Sequence, residues 1–425
     1  MKNKSLATLS PLCLALFAGS AWADLEPFSF GASEQIQHQS NLGHTDSSRT
    51  PNVADWNSTT TLSGAISEPV GRDKLLVTGD VDFDRYKRSH NLDSTGYNAA
   101  AEFDWNTVGD LSGSLGADSH RHQYFYGESS EFTIAGASTG TTIVKNLQTD
   151  NHVFARATLG GQSRWTIFGG TDASKRNYSN DIFHVNDEHQ WSADLGTRYS
   201  TSPDLSFGVT GNYVRGQYPD GSIAQPDGTS TQGPSNFNSK VISATTQWQV
   251  SGNTRMDGSL GYTSYSSDAF GGTRHFMNGS LNWVWTPPSH LTFNLNLKRS
   301  AEADNLASSG NGQVVSASNL NGTSINNDAH LEATYAFTVK TSLDASVDYI
   351  DRKYLPQATP VGEASGSTRT SRYFLTAHFM PTRTTDLSCG GGRETRHADG
   401  SLVSKGLASS YSDNYVQCMA SIHFD

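Results

Sequence analysis

The sequence predicts an all-β fold, a transmembrane antiparallel up-and-down barrel of about eighteen strands with short periplasmic turns and long external loops. Three observations predict it: side-chain character alternates with a period of two, short and long connections alternate along the chain, and proline avoids the alternating segments. A barrel is the only sheet that spans lipid, because closure pairs every backbone polar group within the protein.

Alternation is plainest in "LLVTGDVDFD" (residues 75–84), where Leu75, Val77, Gly79, Val81 and Phe83 oppose Thr78, Asp80, Asp82 and Asp84. Residues 97–105 repeat it, with Tyr97, Ala99, Ala101, Phe103 and Trp105 against Asn98, Ala100, Glu102 and Asp104. "LSFGVTGNY" (205–213), "FNLNLK" (293–298), "LDASVDY" (343–349) and "YFLTAHF" (373–379) carry the same rhythm onward. A period of two is the signature of strands with two unlike faces.

Eight tight turns are expected near Val70, Gly109, Gly161, Pro203, Gly252, Pro287, Val339 and Pro381. Nine longer polar connections fall between them, among them 127–142, 217–234, 301–327 and 357–368. That count gives an even number of strands with both chain ends on the short-turn side. All prolines after the leader are expected in loops, turns or the lead-in, where no ladder hydrogen bond is lost.

At the N-terminus, Lys2 and Lys4 precede the apolar run "LCLALFAG" and the small-x-small site Ala21-Trp22-Ala23. This reads as a secretory signal peptide over residues 1–23, cleaved before Asp24, leaving residues 24–425 as the barrel domain. Cys13 goes with the leader, so Cys389 and Cys418 are the mature cysteines. Both fall in the last hairpin on the lipid-facing parity, where a disulfide and two small apolar fillers are equally weighted readings.

Composition excludes two other classes. The 425 residues are 35% hydrophobic and 10% aromatic, with 40 Gly, 13 Pro and a mean hydropathy of -0.51. That is too polar for a helical membrane bundle and too aromatic for a disordered chain. No nucleic-acid partner is expected, and the formal net charge of -11 agrees in sign with an acidic lumen.

The outward parity is expected to face lipid, and Trp105, Trp165, Trp248, Trp283 and Trp285, all near short turns, to form an interfacial belt. The last strand carries Val416, Cys418, Ala420, Ile422 and Phe424 on one face, similar to the terminal signal read by the barrel-assembly machinery. The inward parity collects the lumen candidates: Asp80, Asp82, Asp84, Glu102, Asp104, Asp118, Asp194, Asp344 and Asp348, against Arg156, Arg198, Lys298, Arg352 and Arg372. A barrel of this size encloses an aqueous space, and this lining is hydrophilic, mixed in charge and somewhat acidic.

No hydrolase elbow, zinc-protease helix or phosphate-cradling loop occurs, so no catalytic residue and no enzyme activity is assigned. His120 and His122 share a face and could in principle hold a metal, but a polar strand end is the stronger reading. No metal and no cofactor are expected. Inward rings at Tyr86, Phe168 and Phe374 are candidates for stacking on sugar faces, weighed against packing under inward-folded loops.

Two passages resemble a family. "DRYKRSHNLDSTGYNAAAEFDWNTVGDLSGSLG" (84–116) and "GTRYSTSPDLSFGVTGNYVRGQYPD" (196–220) are similar to the EpsL-like β-barrel porins of exopolysaccharide biosynthesis operons, a likeness that extends over most of the mature chain. The resemblance implies a cell outer membrane location and a passive porin-like conduit for a secreted polysaccharide handed over by periplasmic export components. A general or nutrient-uptake porin for small hydrophilic solutes, and a non-conducting barrel that scaffolds the export machinery, are the alternatives.

Overall fold

The structure is a computed structural model that describes residues 28–46, 52–124, 145–161, 163–224, 230–268, 272–306, 320–357, 364–404 and 408–424. The expected leader and the whole of the 127–142 connection lie outside the described residues.

The strands in chain order are β1 (Phe28–Gln39), β2 (Asp55–Val70), β3 (Asp73–Tyr86), β4 (Ser94–Asn106), β5 (Leu111–Gln123), β6 (Leu147–Leu159) and β7 (Trp165–Tyr178). They continue with β8 (Glu188–Ser202), β9 (Leu205–Tyr218), β10 (Ser222–Ala224), β11 (Ser230–Gln232), β12 (Ser235–Ser251), β13 (Thr254–Ser267) and β14 (Gly272–Trp285). The last six are β15 (Leu291–Leu306), β16 (Leu320–Thr338), β17 (Thr341–Gln357), β18 (Ala364–Phe379), β19 (Thr385–Ala398) and β20 (Tyr411–Phe424). Eighteen of them form one antiparallel sheet, and β10 with β11 forms a small hairpin in the connection between β9 and β12.

The sheet closes on itself. β1 pairs with β20 from Phe30↔Phe424 to Gln39↔Tyr415, which brings both chain ends to the short-turn side. Successive strands otherwise pair with their sequence neighbours, so no crossover exists among the described strands.

Large apolar side chains cover the outside. Leu195, Leu260 and Ile242 are 67%, 66% and 60% exposed, and every strand of the barrel except β4 contributes an exposed large apolar side chain to the belt. A belt of that extent is incompatible with water and fits lipid. All five expected tryptophans stand on this face toward the turn end. A second aromatic girdle sits nearer the external end and includes Trp191, Tyr213, Tyr262, Tyr349 and Tyr373. From Tyr199 to Trp191 on β8 the two girdles are about 20 Å apart, allowing roughly 3.3 Å per residue and the strand tilt.

Turn chemistry sets the short end. Gly71 takes φ +69° between β2 and β3, as the first central residue of a type II′ hairpin turn requires. The other two-residue links, 203–204, 252–253 and 339–340, each follow a register shift at the end of the strand before them, at Ser200/Ser202, Gln249/Ser251 and Ala336/Thr338.

Three expectations are corrected. The connection 268–271 is as short as a periplasmic turn, so the alternation of lengths fails there. About half of each proposed loop, 301–327 and 357–368, is strand: β15 runs to Leu306, β16 starts at Leu320, and β18 starts at Ala364. Pro69 and Pro356 lie inside strand ends, and at Pro356 the β17–β18 register slips between Tyr354 and Gln357, so an irregularity accommodates the missing N–H.

Cys389 and Cys418 face each other across β19 and β20 with Cα atoms 4.1 Å apart and are joined by a disulfide on the lipid-facing parity.

Candidate functional site

The lumen wall is the candidate site. With the outward face fixed by the apolar belt, all fourteen predicted charged residues fall on the opposite parity and point inward. Three networks organise them.

The first lies on β2–β4. Asn98 Nδ2 donates to Asp80 Oδ2 at 2.7 Å, Thr59 Oγ1 donates to Asp84 Oδ1 at 2.7 Å, and Thr61 donates to Asp82. Ser94 Oγ adds a second bond to Asp84 at 3.0 Å. Each carboxylate therefore has a neutral donor from a neighbouring strand, so three acids tolerate one strand face without a cation between them. Glu102 and Asp104 continue this wall on β4, with Lys74 opposite Asp104 in the ladder.

The second network spans β5–β8. His152 bridges two strands, with Nδ1 2.8 Å from Asp118 Oδ1 and Nε2 3.1 Å from Asp172 Oδ1. Arg156 reaches the same Asp172 at 3.5 Å and lies 4.8 Å over the Phe154 ring. Above it, Asp150 takes Arg176 Nε at 2.7 Å on one oxygen and His120 Nε2 at 3.2 Å on the other, while Arg176 also approaches Glu188 at 3.7 Å. Asp194 and Arg198 follow on β8, and Arg198 donates to Gln247 Oε1 at 3.1 Å.

The third network spans β15–β20. His330 lies 2.6 Å from Asp348, and His378 lies 2.9 Å from Asp344 and 3.7 Å from Asp386. Arg372 Nε donates to Glu394 Oε2 at 2.7 Å, and Tyr411 donates to the other oxygen of Glu394. Arg352 donates to Asn326 at 3.0 Å, and Lys298 stands opposite Asp328 in the ladder.

His120, His122 and Asp150 are the one metal-competent trio among the described residues, with ligand atoms within 4.8 Å of one another. Arg176 on the same carboxylate opposes a cation there, which favours the reading of the two histidines as a polar strand end, His120 paired with Asp150 and stacked on His122.

Inward aromatics have two settings. Phe168 lies flat over Gly196, where a Cβ would come within 2.4 Å of the ring, and Phe374 lies over Gly392, within 2.6 Å. Phe374 also stacks on Tyr415 with centroids 5.2 Å apart. Glycine lets these rings press against the wall and present the other face to the lumen. Tyr86 differs: it is 3% exposed and packed with Leu42 and Leu92, which takes it out of the lumen surface. At the same external mouth, Phe183 and Leu402 are fully buried and the connections that carry them pack over Tyr178 and Tyr354.

Reading single strands missed His152, Asp150, Asp172, His330, His378 and Glu394. Parity alone would have placed them inward. Their role as cross-strand partners depends on register, which one strand does not contain.

No family model and no curated protein matches the chain. Solved structures do. OccK1 (OpdK) of Pseudomonas aeruginosa is 12% identical with a TM-score of 0.50, covering 94% of this chain and 100% of that one. The apoprotein of the FrpB iron transporter from Neisseria meningitidis (F5-1 variant) is 10% identical with a TM-score of 0.50, covering 90% of this chain but only 63% of the FrpB chain. At these identities the likeness is one of fold: a closed outer-membrane β-barrel.

Proposed function

We propose that this barrel is a passive outer-membrane channel of porin type whose lumen conducts a secreted polysaccharide outward. The observation that carries the reading is the wall itself. It offers hydrogen-bonding groups on every side, with most charges already paired or bonded to neutral donors, and flat rings at Phe168 and Phe374 between them. Such a surface binds sugar hydroxyls weakly at many places and holds a chain nowhere, which a conduit requires. The resemblance of residues 84–116 and 196–220 to EpsL-like porins supports the same direction. The polysaccharide and the periplasmic machinery that delivers it are the proposed partners.

The burial of Phe183 and Leu402 at the external mouth favours a second reading, a porin for small hydrophilic solutes, since packed connections there crowd a thick polymer.

Single-channel conductance of the refolded barrel in a planar bilayer separates them, with the host's exopolysaccharide added on the turn side. Blockade by that glycan is the expected result. Steady conductance indifferent to it supports the small-solute porin, and no conductance supports a scaffolding barrel. Under a salt gradient the reversal potential is expected to show cation preference, reduced when Asp80, Asp82 and Asp84 are changed to Asn.

A further inference from the structure

Charge is sorted by side as well as by sign. Carboxylates dominate the lumen, whereas cations gather on the outer surface at one height. Counting outward-facing residues from the turn end, the fifth or sixth is basic on several strands: Lys175, Arg215, Lys240, Arg299 and Arg393 are all exposed there, and Arg85 is exposed one position higher on β3. Among the described strands the carboxylate at that height is Asp351, which already has Arg369 at 3.5 Å. This accumulation runs against a chain whose net charge is -11.

Height gives the ring its meaning. Level with it or one outward position below stands the external girdle of Trp191, Tyr213, Tyr262, Tyr349 and Tyr373, with Trp191 directly opposite Arg215, Tyr213 opposite Lys240 and Tyr373 opposite Arg393 in the ladders, the level of the headgroups. Below that the surface is mainly apolar, with Glu34 and its hydroxyl partners on β1 and β2 the carboxylate site within it. A ligand seated on this ring therefore has acyl chains on the belt and anionic groups at the cations.

The cations are also unspent. Among the described residues the side chains of Lys175, Arg215, Lys240 and Arg393 make no hydrogen bond or ion pair. Two of them are close enough to repel: Arg215 and Lys240 are diagonal neighbours across β9 and β12, since Arg215 pairs with Asn238 and Lys240 with Tyr213, while Lys175 stands on the adjoining hairpin opposite His189. Like charges at such spacing are stable when anions lie between them, and phosphate accepts charge-assisted bonds from both Arg and Lys.

We propose that this ring, and first of all the Lys175–Arg215–Lys240 face, binds the phosphate groups of a phosphorylated glycolipid in the external leaflet. The inference rests on the barrel and its orientation, not on what the lumen conducts.

The full-length barrel, refolded and exposed to phosphatidylcholine vesicles containing either bis-phosphorylated lipid A or the same lipid dephosphorylated, tests it through lipid retained after detergent extraction and counted by native mass spectrometry. Preferential retention of the phosphorylated form, weakening with salt, is expected. The combined Lys175→Gln, Arg215→Gln, Lys240→Gln variant should bind it roughly a hundredfold more weakly, about fivefold per cation, while Lys175→Arg with Lys240→Arg should retain it. Equal retention of the two lipids by the wild-type barrel overturns the proposal, and so does undiminished retention by the folded triple variant. If the triple variant does not fold, the wild-type comparison decides. Displacement of the lipid by an acidic soluble glycan at equal phosphate concentration also overturns it.

Discussion

Glu34 of β1 accepts a hydrogen bond from Thr60 Oγ1 of β2 at 2.7 Å, on the lipid-facing side of the barrel, and Ser58 donates to its other oxygen. The backbone ladder between these strands registers only Phe28↔Ile66 and Ser29↔Ala65. Higher up, side chains join the strands: the Glu34 trio, then His38 against Trp56 with ring centroids 4.8 Å apart.

Glu34→Ala removes the acceptor and leaves two hydroxyls unpaired in an apolar setting, at about 1–3 kcal/mol. Amide exchange is expected to rise in residues 31–37 and 58–62 and to stay unchanged in β19 and β20. Uniform protection in the variant would show that the seam does not depend on Glu34.

The disulfide closes a segment with a sequence separation of 29. By chain entropy that is worth about 3–4 kcal/mol. Reductant should lower the unfolding temperature of the wild-type barrel, followed by heat-modifiable electrophoresis, and leave Cys418→Ser unaffected. A reductant effect in the variant would place its target elsewhere.

Arg372 and Glu394 form a pair in which the Glu394 side chain is only 7% exposed. Arg372→Met strands that carboxylate with Tyr411 as its remaining partner, a loss of about 3–5 kcal/mol. The double variant with Glu394→Leu should be much closer to wild type in denaturant unfolding. Equal losses in the single and double variants would deny the coupling.

Asp55, at the external tip of β2 above the lipid belt, is opposed by burial, which raises its pKa, but donors from Ser89, Trp56 and Arg88 outweigh this and hold it below the usual carboxylate value. A depressed carboxylate stabilises above its unfolded pKa and loses that contribution as pH falls through the folded one. Protection factors of the Arg88 and Ser89 amides should therefore fall with acidification below the ordinary Asp range, and Asp55→Asn should abolish that dependence.

Strand number, parity, the turn-side tryptophans and the position of both cysteines were legible because lipid imposes a strict two-face pattern. That pattern ends where lipid ends. Residues 301–306 and 320–327 are rich in Asn, Asp, Glu, Ser and Gly with no run of large apolar residues at every second position, and so their composition reads as loop. The four-residue link at 268–271 sits among Ser, Asp and Gly that resemble a longer loop. Parity placed Asp118 and Asp348 on the wall, but their histidine partners sit on other strands, and pairing follows from shear, which no single strand encodes. The basic ring was hidden for a similar reason: each strand shows one Arg or Lys near its end, and only equal heights make them a ring.

Cys418 stands between Cys389 on one side and Ile36 of β1 on the other. The β1–β20 junction is the longest-range contact in the chain and so the slowest to be found. The β19–β20 hairpin is local, and once oxidised it offers β1 a two-strand edge whose register is already covalently set. An oxidised chain is therefore expected to close its barrel faster than a reduced one.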